Sequence, residues 1–174
     1  MVGEKKQFSN LGKLQGKSIQ TFTNDSISVK KTKNLLVKVD EEVIDEFKVV
    51  AFEYYKKTKQ LSLFSFRHYL ALVLYNMEDS FKKSYGTILM PDEDYLKFYQ
   101  RRGNKASIEE RDIKVMGNIS FLLPLKYTEL YYRLMHTYYI NKMAHLSSYS
   151  ISQFFYFINE YIRTADLKHY EVHI

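Results

Sequence analysis

The chain has 174 residues, 45 % hydrophobic and 16 % aromatic, enough to close one ordinary core or two very small ones and too apolar for wholesale disorder. It contains no cysteine, which excludes disulfides, thiolate metal sites and cysteine catalysis. The net charge of +6 is uneven: residues 1–33 hold Lys5, Lys6, Lys13, Lys17, Lys30, Lys31 and Lys33 against Glu4 and Asp25, so the rest of the chain is nearly neutral.

Residues 1–29 are rich in Gly, Ser, Asn, Gln and Thr without a lasting period, and read as a flexible basic arm suited to phosphates. The polar first 17 residues lack the apolar core of a signal peptide. The longest apolar stretches, such as 69–75, fall short of the roughly 18 residues that a membrane helix needs. A cytoplasmic protein without membrane association is therefore expected.

A first unit is expected over 30–85. Leu35, Val37 and Val39 alternate with Asn34, Leu36 and Lys38, the period of a strand with one buried face. Asp40 has the chemistry of a helix N-cap, and Glu41 and Glu42 suit the positive end of a helix dipole. Val43, Ile44, Phe47, Val50, Ala51 and Tyr54 then fall on one helical face. Polarity rises over 56–60. A second, more apolar helix is expected to start at Ser62 or Ser65 and to end at Gly86.

Residues 86–117 read as a connector in which six basic and six acidic residues cancel. Short helices are expected over 92–99 and 107–113, the latter opened by a Ser107–Glu110 capping box.

The plan then repeats over 118–174. Ile119, Phe121, Leu123 and Leu125 alternate with Ser120, Leu122 and Pro124. Leu130, Tyr131, Leu134 and Tyr138 mark a helical face, a break follows at 145–148, and an apolar helix runs over 150–162. Leu61-Ser62-x-x-Ser65 lies over Leu146-Ser147-x-x-Ser150, with the first-helix faces of the two halves out of step by two residues. The repeated unit is strand–helix–helix.

A period-two strand, an amphipathic helix, a Ser-containing turn and a more buried second helix resemble the ribbon-helix-helix family of DNA-binding proteins, over roughly 34–84 and 118–163. The resemblance implies a mainly α fold with a short two-stranded antiparallel ribbon, the tandem units forming an intramolecular pseudo-dimer. One such unit cannot close a core alone. In that family the ribbon lies in the major groove. The base-contacting residues would then be Asn34, Leu36 and Lys38 from the first strand and Ser120 and Leu122 from the second, with Pro124 facing the same way but offering no donor. Phosphates would be held by Lys30, Lys31 and Lys33 and by the helix N-termini at Ser65 and Ser150. The implied partner is double-stranded DNA, in the setting of plasmid transfer (conjugation), partition or transcription regulation. A relaxase or another mobile-element protein would be a second partner, and the chain would act as a monomer or in a higher assembly.

Other motifs carry less. Residues 12–18, GKLQGKS, are one residue short of a phosphate loop and follow no strand. His169 and His173 have helical ligand spacing without a third ligand, and read as a solvated tail. His68, His136 and His145 stand apart from any nucleophile, and Asp92-Glu93-Asp94 lacks calcium-loop spacing. No convergent polar set for catalysis is present, so neither enzyme activity nor a cofactor is expected. The Tyr- and Phe-rich stretch 127–161 reads first as core. Presented to a partner instead, it would make the chain a protein–protein adaptor.

Overall fold

The computed structural model describes residues 32–100 and 116–174, with the backbone alone at Gln100. The expected arm over 1–29, Lys30 and Lys31, and the short helix expected over 107–113 lie outside the described residues. Among the described residues the chain is mainly helical, with one two-stranded antiparallel sheet. No described helix is long and apolar enough to cross a membrane.

Strand β1 spans Thr32–Asp40, and Leu35, Val37 and Val39 are its buried row. Helix α1, Glu41–Lys57, follows without a loop. Asp40 occupies its N-cap position, but no side-chain capping bond forms there. The Asp40 carboxylate is instead held by the Tyr156 hydroxyl, at 2.9 Å. The buried stripe of α1 is Ile44, Phe47, Ala51 and Tyr55. It is rotated from the expected face, leaving Val43, Val50 and Tyr54 half-buried at its margin. A short 3-10 turn, Leu61–Leu63, leads into helix α2, Phe66–Tyr85. The Ser65 hydroxyl caps α2 by accepting from the His68 N–H at 3.2 Å. Gly86, at φ +80°, closes it in a conformation that a side chain would resist. Helix α3, Glu93–Gln100, opens with Asp92 accepting from the Tyr95 N–H at 2.9 Å.

Strand β2 spans Met116–Pro124, so the second strand begins inside the stretch expected to be connector, and Leu125 belongs to the next helix rather than to the strand. Gly117 lies where α1 crosses the strand: a Cβ there would lie 2.7 Å from Ile44 Cδ1 and 3.0 Å from Glu41 Cγ, so those side chains would have to shift. Helix α4, Leu125–Tyr138, follows at once and relaxes into a π turn, Tyr139–Met143. Ser150 caps the last helix, α5, Ile151–Thr164, accepting from the Gln153 N–H at 3.3 Å.

The strands pair antiparallel in full register, Thr32 opposite Pro124 and Asp40 opposite Met116, centred on Leu36 opposite Ser120. One inner face of this ribbon roofs the core. Beneath it the helices pack across the repeat: α1 lies against α5 and β2, α2 against α4, and α5 against β1. Phe47 is the fulcrum, its ring centroid 5.2 Å from Phe155, 5.4 Å from Tyr69 and 5.7 Å from Phe121. Phe47, Ala51 and Tyr55 are matched by Tyr131, Met135 and Tyr139, all buried and at the spacing that relates Thr32 to Met116. The two-residue step expected between the first-helix faces is therefore absent.

Residues 165–174 are not a solvated tail. They run back over α2, where Asn76 and Lys168 exchange two hydrogen bonds, of 2.8 and 3.0 Å. Tyr170 bonds Asp79, and the His173 N–H donates to the Tyr127 hydroxyl at 3.2 Å.

Candidate functional site

The outer face of the ribbon is an extended surface that regular structure builds and leaves exposed. Period two sends alternate residues of each strand outward. The outward row of β1 is Thr32, Asn34, Leu36 and Lys38, all exposed, and that of β2 is Met116, Asn118, Ser120 and Leu122. Leu36 and Leu122 are each 51 % exposed, although nothing in the strands themselves prevents a polar residue at either place. Asn34, Leu36, Lys38, Ser120 and Leu122, named from sequence, thus share one face.

Pro124 does not join them. It sits half-buried at the end of β2, at the N-cap position of α4 with φ −52° and ψ 145°, where its fixed φ turns the strand into the helix. Asn118 and Met116 take the places that the late start assigned to β2 had hidden. Extending the Ser120–Leu122 alternation two residues backward would have found Asn118.

The face is rigidly mounted. Its inner row is fully packed, and the outer edge of β1 is not free to slide: the Lys38 N–H donates to Ser152 Oγ at 3.0 Å and the Asp40 N–H to the Tyr156 hydroxyl at 3.2 Å. Helix α5 thereby satisfies edge donors that would otherwise invite another strand. On the face itself the Ser120 hydroxyl donates to Asn34 Oδ1 at 2.6 Å, which orients the Asn34 amide. Lys38 and Asn118, opposite each other, have no side-chain partner among the described residues.

Of the expected phosphate contacts, Lys33, Ser65 and Ser150 fall within the described residues. Lys33 has the parity of the inner row and lies at the ribbon end with its ammonium 5.6 Å from the centroid of Tyr132. Both Ser65 and Ser150 use their hydroxyl as a cap, accepting from the His68 and Gln153 N–H groups, while the earlier backbone N–H groups of α2 and α5 have no acceptor within the helix.

Two of the histidines that looked isolated, His68 and His136, have tyrosine partners. Tyr55 pairs with His68 Nδ1, and the Tyr99 hydroxyl lies 2.7 Å from His136 Nδ1. Burial lowers both histidine pKa values, at His68 with a contribution from His169. Burial also pushes the Tyr55, Tyr69, Tyr99 and Tyr131 hydroxyls well up. These are features of packing among the helices. The aromatic stretch 127–161 is likewise largely core: Tyr127, Tyr131, Tyr132, Tyr139, Tyr149, Phe154 and Phe155 are buried. Exposed apolar side chains off the ribbon include Val49 and Phe52 on α1 and Leu61 and Leu63 in the turn that follows it.

Compared with family models, with curated proteins and with solved structures, the chain finds no match.

Proposed function

We propose that this chain binds double-stranded DNA, as two ribbon-helix-helix units joined in one polypeptide, and lays its ribbon in the major groove. One observation carries this reading: the ribbon's packed inner face and uncovered outer face, with amide, hydroxyl, ammonium and leucine side chains standing in two parallel rows. A two-stranded ribbon fits a major groove about 12 Å wide, and nine residues of strand reach about 30 Å along it. The crossed packing of α1 on α5 and α2 on α4 supports the pseudo-dimer, because each unit's core is completed by the other. The role is transfer or partition of a mobile element, or transcriptional repression, with a relaxase or partition protein as a further partner.

The test is binding to random and genomic duplexes at two salt concentrations, for the intact chain and for an Asn34→Ala/Lys38→Ala variant. Salt-sensitive binding that loses its sequence preference in the variant is expected. Each phosphate contact contributes about 0.9 to the log–log salt slope. No binding by the intact chain at low salt would overturn the reading. It would favour a protein adaptor, acting through Val49, Phe52, Leu61 and Leu63 rather than through the buried aromatics of the second unit.

A further inference from the structure

The ribbon's two ends differ chemically. About the central Leu36 and Ser120, one end presents Asn34 opposite Leu122, and the other presents Lys38 opposite Asn118. At the first end the Ser120 hydroxyl occupies Asn34 Oδ1, which leaves the amide NH2 as the exposed Asn34 side chain's donor group beside a half-exposed leucine. A donor next to an apolar group matches thymine, whose major-groove edge pairs the O4 acceptor with the C5 methyl. At the second end the Lys38 ammonium is held by no carboxylate among the described residues, and Asn118 is likewise unbonded. An ammonium with free donors matches the two acceptors of guanine, O6 and N7, and has nothing to gain from a methyl group.

Resting on the DNA-binding reading above, we infer that the ribbon selects a non-palindromic site, with thymine under Asn34 and Leu122 at one end and guanine under Lys38 and Asn118 at the other. Two identical subunits would be forced to read the same pattern twice. Here the two rows are unlike at every outward position except Asn34 and Asn118, which exchange under the ribbon's own symmetry, and even those differ because only Asn34 is bonded to serine. Asn118 and Leu122 are thereby specificity-determining residues, together with Lys38.

The experiment is selection of bound duplexes from a random pool by the intact chain, followed by base analogues in the selected site. The expected motif changes on reversal and has thymine and guanine at opposite ends. Replacing that thymine by deoxyuridine removes only the methyl, and weakens binding by the intact chain but not by Leu122→Ala. Replacing the guanine by 7-deazaguanine removes N7, and weakens the intact chain by up to about tenfold but leaves Lys38→Ala unaffected. Both side chains are exposed, so the two variants keep the fold. A palindromic motif, or a Lys38→Ala variant that changes preference at both ends equally, overturns this inference while leaving DNA binding intact. Binding without any motif, or no binding, overturns it together with ribbon readout.

Discussion

Truncating Phe47 to alanine removes the ring on which both halves of the repeat converge. Its side chain is fully buried and touches Tyr69 from α2, Phe121 from β2 and Phe155 from α5. Burial of the ring contributes about 2–3 kcal/mol. The cavity adds to this, because the three rings facing it are themselves wedged and cannot collapse inward. Phe→Ala changes cost about 3–5 kcal/mol, and a site walled by rings belongs to the upper half of that range. With a urea m value of about 2 kcal/mol per molar, a loss of about 4 kcal/mol moves the unfolding midpoint down by about 2 M. The assay is urea unfolding followed both by far-ultraviolet circular dichroism and by tyrosine fluorescence, with Phe47→Leu as the milder control. Both probes should report one coincident transition, shifted strongly in the alanine variant and weakly in the leucine one. A shift corresponding to less than about 1 kcal/mol, or two separate transitions in the intact chain, would refute the interlocked core.

Other perturbations test other parts. Val37→Asp places a carboxylate under the ribbon roof with no partner nearby. It should abolish or severely reduce the cooperative thermal transition, and unchanged stability would mean that the inner row is not buried. Tyr156→Phe removes the hydroxyl that accepts from the Asp40 N–H and donates to its carboxylate. A loss of about 1–3 kcal/mol is expected by chemical denaturation, and no loss would place the β1 edge away from α5. Glu46 is bonded by Arg163 and then by Asn159, which hold its carboxyl below the ordinary 4.5. Its contribution is full above that value and is lost as pH falls through the lower folded value, so Glu46→Gln should flatten the acid limb of the stability profile. The half-buried His68 and the buried His136 act at higher pH, their folded values lying below 6.5. As pH falls through 6.5 the unfolded chain takes up protons that the folded chain resists, so the unfolding midpoint should drop; a profile flat from about pH 7.5 to about 5.5 would contradict this.

Both strands were legible because their inner rows, Leu35–Val37–Val39 and Ile119–Phe121–Leu123, are uniformly apolar at period two, and both second helices because a serine stands at each N-cap. The stripe of α1 was misplaced for a specific reason. Tyr54 and Tyr55 are chemically identical in sequence, and what sets Tyr55 apart is its packing against Phe64 and His68, which lie later in the chain. Tyr127, Tyr131 and Tyr132 blur α4 in the same way, since three aromatics mark more of the circumference than one face. A helical period names a face without naming what it meets, so the crossing of α1 to α5 was out of reach. Residues 165–174 were misread because Asn76 holds them through backbone groups, for which hydropathy has no signal. At the ribbon, five outward residues were visible, while Asn118 was hidden by a Gly117 that looked like a loop residue and instead lies in the strand, close under Ile44.

Pairing β1 with β2 within one chain also changes how the ribbon responds to dilution. Two strands on separate molecules meet in a bimolecular step, and below their dissociation constant the surface they build ceases to exist. Here closure is intramolecular, with an effective concentration set by the connecting chain rather than by the number of copies present. The same outward row is therefore assembled at a single molecule per cell as at a thousand, and the melting temperature should not depend on protein concentration.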